Sequence, residues 1–143
     1  MAKVYVFTAD GFEEIEGLTV VDLFRRAGAQ TQMVSISGSL TVKGSHGIEM
    51  KADQLFEDID FQDADLLVLP GGMPGTKHLA AHPGLCDLLK AQAAAGKRVA
   101  AICAAPSVLG QLGILEGRKA VCYPGFEDML TGASVSTKEV ETD

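Results

Sequence analysis

The sequence predicts an α/β fold with a mostly parallel, doubly wound sheet, and three observations lead there. Short apolar runs at Lys3 to Thr8, Gln32 to Ile36, Leu66 to Leu69 and Arg98 to Ile102 alternate with segments of helical periodicity. Leu66 to Leu69 and Val99 to Ile102 are continuously apolar, as strands buried on both faces are. Both lead directly into a turn and a helix start, the first through Pro70-Gly71-Gly72-Met73-Pro74-Gly75 and the second through Cys103. The 143 residues are one domain's length, and 47% hydrophobic residues supply a sizeable core.

Taken in order, Lys3 to Thr8 is β-branched and aromatic and opens the chain as a central strand. After Ala9-Asp10-Gly11, a helix is expected from Glu13 to Ala27: Ile15, Leu18, Val21, Leu23 and Phe24 approximate helical spacing, acids fill the first turn and Arg25 and Arg26 the last, and Gly28 stops it. Gln32 to Ile36 is a second strand, and Thr41 to Met50 a glycine-interrupted hairpin. Asp53 to Ile59 reads as a short helix before the buried strand Leu66 to Leu69. Residues 76 to 95 are helical with a break near Pro83, followed by the strand Arg98 to Ile102. A helix from Pro106 carries Val108, Leu109, Leu112 and Leu115 on one face. A strand at Ala120 to Tyr123, a helical segment at Phe126 to Leu130 and a β stretch at Ala133 to Val140 complete the pattern.

The chemistry centres on Cys103. A strand-to-helix corner lifts one side chain above the carboxyl edge of the sheet, where helix amides and the positive dipole end favour a thiolate. Ala101-Ile102-Cys103-Ala104-Ala105 reads as a Gly-x-Ser-x-Gly elbow with a Cys nucleophile and alanines for glycines. The competing reading is a small buried structural thiol, which is also how Cys86 and Cys122 read. Glu16 lies beside Ile15 and Leu18, so an inward orientation would bring it to Cys103 if the first strand and the elbow strand were neighbours; a buried carboxyl there is a proton donor or acceptor. Glu13 and Glu14 read as solvated partners of the helix dipole. Gly72 reads either as a turn residue or as an amide donor to an oxyanion, with the amide after Cys103 as the second donor. His78 and His82 have the spacing of helical metal ligands but no accompanying Glu, and Pro83 follows, so no metal site is expected; His46 reads as a loop residue.

Composition narrows the partners. A net charge of -7 without any Lys/Arg cluster argues against nucleic acid as the main partner. No apolar run reaches the ~20 residues of a membrane span, and no charged-then-apolar leader precedes the first strand, so a soluble cytoplasmic protein is expected. Three widely spaced cysteines without a C-x-x-C fit free thiols in a reducing compartment.

Four motifs carry a resemblance: Asp10-Gly11-Phe12-Glu13-Glu14-Ile15-Glu16, Arg25-Arg26-Ala27-Gly28, Leu69-Pro70-Gly71-Gly72 and Ala100-Ala101-Ile102-Cys103-Ala104-Ala105-Pro106. In order and spacing they resemble the ThiJ/PfpI superfamily, in the branch of the human parkinsonism-associated protein deglycase and its bacterial homologues. The resemblance implies a flavodoxin-like three-layer sandwich with a nucleophile elbow at Cys103, a protonated glutamate partner at Glu16, oxyanion amides at Gly72 and Ala104, and a homodimer. It implies a glyoxalase III or protein deglycase-type hydrolase or lyase that acts without a cofactor on a small carbonyl substrate or a glycated protein. The alternative is a redox-sensing stress protein or chaperone that uses Cys103 oxidation; a peptidase or a thiamine-precursor enzyme fits the residues less well. Two departures stand out. Tyr123 precedes Pro124 where many members carry a His, which weakens a Cys-His-Asp protease mechanism, although Tyr123 has a hydroxyl to offer a substrate oxygen. Members also continue for about forty residues past this chain's last position, through a helix covering one sheet face, so the chain is expected to be incomplete.

Overall fold

A computed structural model describes residues 1–143. Its elements are β1 (Lys3–Thr8), α1 (Glu14–Arg26), β2 (Gln30–Ser35), β3 (Thr41–Lys43), β4 (Glu49–Lys51), β5 (Gln54–Leu55), β6 (Leu66–Leu69), α2 (Gly75–Ala80), α3 (Pro83–Ala94), β7 (Arg98–Ala101), α4 (Pro106–Gln111), β8 (Lys119–Ala120) and β9 (Ser134–Val135). Short 3-10 helices at Phe56–Asp58 and Glu127–Met129 lie between them. The main sheet has the order β5-β2-β1-β6-β7, and every pairing in it is parallel.

Pleating divides the core in two. Val4 and Val6 of β1 and Val68 of β6 point to the α1 side, where they meet Phe12, Val21, Met33 and Val42. Tyr5, Phe7, Leu67 and Leu69 point to the other side, onto Leu79 of α2, Leu85 and Leu89 of α3, and Val108 and Leu109 of α4. The sheet is therefore sandwiched between helices, and its carboxyl edge collects the turns that follow β1, β6 and β7. On the α1 side the cover stops short of β7, whose Arg98 and Ala100 are exposed.

Several expected elements are corrected. Asp53 to Ile59 is not one helix: Gln54–Leu55 pairs with β2 as an edge strand and a 3-10 turn follows. The β2 hydrogen bonds begin two residues earlier than the apolar pattern, because Gln30 already faces Lys3 in the ladder. The helix from Pro106 ends at Gln111, and Leu112 to Leu115 continue as turns that still bury Leu115. Ala120 to Tyr123 and Ala133 to Val140 shrink to a two-residue parallel pairing between β8 and β9. In α1 the buried stripe runs through Glu14, Gly17 and Val21, while Ile15, Leu18 and Leu23 face outward. Finally, β1 and β7 are not neighbours; β6 lies between them.

Candidate active site

Cys103 sits two residues past the end of β7 and three before α4. Its φ of 64° makes it the one non-glycine residue in the left-handed region, a conformation an L side chain adopts at a cost of about 1–3 kcal/mol. The corner is locked from both sides. Ile102 donates to Leu69 O at 3.2 Å, Ala105 donates to Ile102 O at 3.0 Å, and Tyr123 N donates to Cys103 O at 2.7 Å. The small residues after the corner, Ala104 and Ala105, are buried, so the tight turn leaves no room for bulk.

Glu16 reaches this corner despite the intervening strand. β6 ends in Leu69-Pro70, and Gly71 then presents only a backbone: its N–H donates to Glu16 Oε1 at 2.9 Å. A Cβ built on Gly71 would lie 2.7 Å from Glu16 Oε1 and 2.8 Å from Cys103 Cβ. The carboxyl and the cysteine thus meet over a glycine, and the absence of a side chain there is what lets them meet. Gly72, with φ of 92°, turns its amide toward the sulfur, and the Ala104 amide joins it. Burial of the sulfur first, and the Glu16 charge next, push the Cys103 thiol above the ordinary thiol range, against the Ala104 and Gly72 backbone amides, which favour the thiolate. Glu16 is the side chain placed beside the sulfur to exchange its proton. The corner alone favours a thiolate; burial first, and the Glu16 charge next, work against it.

Tyr123 is tied to the corner through its main chain; its side chain is exposed and its ring meets the edge of Phe126 with centroids 6.5 Å apart. Cys86 and Cys122 lie elsewhere and are likewise raised by burial. His82 caps α3 through Nδ1, which accepts from Leu85 N at 2.9 Å, and His78 belongs to the separate helix α2.

One feature escaped sequence reasoning. Glu14, expected in solvent, is 4% exposed. Its carboxylate is wrapped by the β3–β4 loop: His46 N donates to Oε2 at 2.9 Å and Ser45 Oγ to Oε1 at 3.3 Å, while His46 Nδ1 lies 3.0 Å from Oε1. Burial alone would raise this carboxyl, yet the His46 side chain and the surrounding amides override it and hold the pKa at about 2. His46 is shifted upward in turn, by its bond to Glu14 first and by the charges of Glu13 and Glu14 next. Glu13, Glu14 and His46 offer ligand atoms within 4.8 Å of one another, but the Glu14 lone pairs are already taken by loop donors, so the group is a hydrogen-bonded cluster rather than an open coordination site. A signal existed: Glu14 shares the helical stripe of Gly17 and Val21, and Gly44-Ser45-His46-Gly47 is a loop hinged on two glycines.

Fold and site together define a class: a parallel α/β sandwich with a cysteine held in a left-handed corner beside a carboxyl and two amides. The DJ-1/PfpI family pattern matches residues 2–143, and the chain belongs to that family, in its DJ-1 branch. It is 39% identical over 143 residues to the DJ-1 homolog B of Arabidopsis thaliana, covering 99% of this chain and 33% of that protein. It is 31% identical over 139 residues to a deglycase of Pyrococcus horikoshii, covering 97% of this chain and 82% of that one. Among solved structures, oxidized Toxoplasma gondii DJ-1 superposes with a TM-score of 0.87 at 41% identity, over 90% of this chain and 71% of that chain. A mutant of a DJ-1 superfamily protein from Salmonella typhimurium gives 0.95 at 33% identity, over 100% and 78%. The chain thus spans about a third of the Arabidopsis relatives it matches. No helix is long and apolar enough to cross a membrane.

Proposed function

We propose that the protein is a cysteine-dependent glyoxalase or deglycase that converts reactive dicarbonyls, or their early adducts, to hydroxy acids. The observation that carries this reading is the convergence of Glu16, Gly72 and Ala104 on Cys103. As sulfur bonds to the aldehyde carbon, the thiol proton passes to Glu16, and the developing oxyanion occupies the place of the two amide donors. Glu16 returns that proton to the oxyanion and, a carboxylate again, moves the carbon-bound proton to the neighbouring carbon while the hydroxyl proton passes to the oxygen there, leaving a thioester of a hydroxy acid on Cys103. Water releases the acid and restores the thiol. No step calls for a cofactor, and the deglycase names among the relatives support the same chemistry. The homodimer belongs to this proposal, with sedimentation mass as its test.

Methylglyoxal consumption by the wild type should vanish in Cys103→Ala and fall by about 100-fold or more in Glu16→Gln, with circular dichroism unchanged in both. Undiminished turnover in Cys103→Ala rejects the mechanism. A second reading, a redox-sensing or chaperone role for Cys103, draws support from the half-buried, amide-flanked sulfur and from the oxidized state of the Toxoplasma relative. Under that reading, peroxide converts Cys103 alone to its sulfinate while glyoxal turnover is absent.

A further inference from the structure

Three large apolar side chains stay in solvent around the Cys103 corner. Met73 follows Gly72, Ile102 precedes Cys103, and Tyr123 donates its backbone N–H to Cys103 O at 2.7 Å; they are 40%, 45% and 57% exposed. Apolar surface gathered at one place and left open marks a contact yet to be made. The Tyr123 hydrogen bond, with ordinary bond lengths on either side of it, holds the α-carbons of Cys103 and Tyr123 no more than about 7 Å apart. That span is comparable to the length of an aryl dicarbonyl. We propose that Tyr123 is the specificity-determining residue of the Cys103 site, its ring forming the wall on which an aryl group of the substrate stacks, so that aryl dicarbonyls are taken in preference to methylglyoxal. This rests on the reading of Cys103 as the nucleophile of a dicarbonyl enzyme.

The local sequence builds that wall. Tyr123-Pro124-Gly125-Phe126 is a β-turn closed by Phe126 N, which donates to Tyr123 O at 3.2 Å. Proline presets φ at the second position, and Gly125, with φ of 105°, supplies the positive φ that a type II turn needs at the third. Gly125 N also donates to Glu127 Oε2 at 2.8 Å, which pins the turn from the far side. The two ends of the turn are the two aromatic residues, and their rings meet edge to face, with centroids 6.5 Å apart and planes at 71°. Phe126 is partly buried and braces the Tyr123 ring, while Tyr123 stays open to solvent. A ring braced in this way loses little freedom when a flat group docks against it, so the contact keeps more of its free energy. Cys103 and the two amides hold the carbonyl end of the substrate in the proposed reaction, and the aromatic turn receives the group that the carbonyl carries.

Steady-state kinetics with phenylglyoxal and methylglyoxal test the assignment, with the ratio of the two kcat/KM values as the readout. The wild type should favour phenylglyoxal. Tyr123→Ala should lower the ratio by about 10-fold, with the loss carried by the KM for phenylglyoxal, and Tyr123→Phe, which keeps the ring, should preserve it. Tyr123 holds the corner through its main chain, so these variants retain the hydrogen bond to Cys103 O, and circular dichroism checks the fold. An unchanged ratio in Tyr123→Ala overturns the proposal, and a loss in Tyr123→Phe as large as in Tyr123→Ala overturns stacking as its cause. A second probe needs no turnover. Phenacyl bromide and bromoacetone both alkylate a thiol, the sulfur displacing bromide and the thiol proton going to solvent, and mass spectrometry gives the rate on Cys103 relative to that on N-acetylcysteine. The preference for the phenacyl reagent should exceed that of the free thiol and fall by about 10-fold in Tyr123→Ala. If that holds while neither glyoxal is consumed, the dicarbonyl reading fails and the aryl wall stands. A wild-type preference equal to that of the free thiol overturns the wall itself.

Discussion

Glu14 and His46 shift one another in opposite directions, and the consequence is a stability that depends on pH. The folded Glu14 carboxyl titrates at about 2 instead of 4.5, so the unfolded chain takes up a proton first as the pH falls, and the contribution is lost through that interval. His46 is raised from 6.5, so its contribution is complete below 6.5 and is lost as the pH rises through its folded value. The two overlap between 4.5 and 6.5. The Tm gap between wild type and Glu14→Gln should therefore be widest in that window and narrow on both sides; a gap constant from about pH 3 to 9 contradicts the assignment. This pair was not legible in the sequence, because an acid in a first turn is normally solvated and the loop that buries Glu14 lies on another element. Glu16 was legible, but for a reason that fails: Ile15 and Leu18, its expected inward neighbours, face outward. What brings Glu16 to Cys103 is the glycine at the end of the strand between them.

At the level of elements, the site depends on how three strands end. β1 leads into α1 and its carboxyls, β6 ends at Gly71, and β7 ends at the left-handed Cys103. A methyl on Gly71 would come within 2.7 Å of Glu16 Oε1, 2.8 Å of Cys103 Cβ and 3.0 Å of Ile102 O, pushing apart the two groups that exchange a proton in the proposed reaction. Gly71→Ala should cost about 1–3 kcal/mol in urea unfolding and reduce kcat/KM by about 100-fold. Wild-type kcat/KM in that variant contradicts the role given to the glycine. The strands themselves were legible, since a short, continuously apolar run such as Leu66 to Leu69, bounded by turn residues, suits a strand covered on both faces. Short pairings such as Gln54–Leu55 were not, because two residues carry no periodicity and only the neighbouring strand defines them.

For the whole molecule, the sheet serves as the frame that holds distant residues in register. Leu67 and Leu69 of β6 are fully buried between α2, α3 and α4, so Leu67→Ala should lower stability by about 2–5 kcal/mol while leaving turnover below its melting point near wild type. Loss of turnover in a folded Leu67→Ala protein would mean that the core also tunes the site. The parallel order β5-β2-β1-β6-β7 places every one of the strand ends β1, β6 and β7 on one edge, and the family membership agrees with that architecture. In the proposed reaction Cys103 forms a covalent bond to the substrate carbon, with Glu16 as its proton partner. Acid quenching of protein mixed with methylglyoxal, followed by peptide mass mapping, tests it most directly. A substrate-derived acyl mass is expected on the peptide containing Cys103 and absent from Cys103→Ala; steady turnover with no mass on that peptide, or with mass only on lysines and arginines, would contradict it.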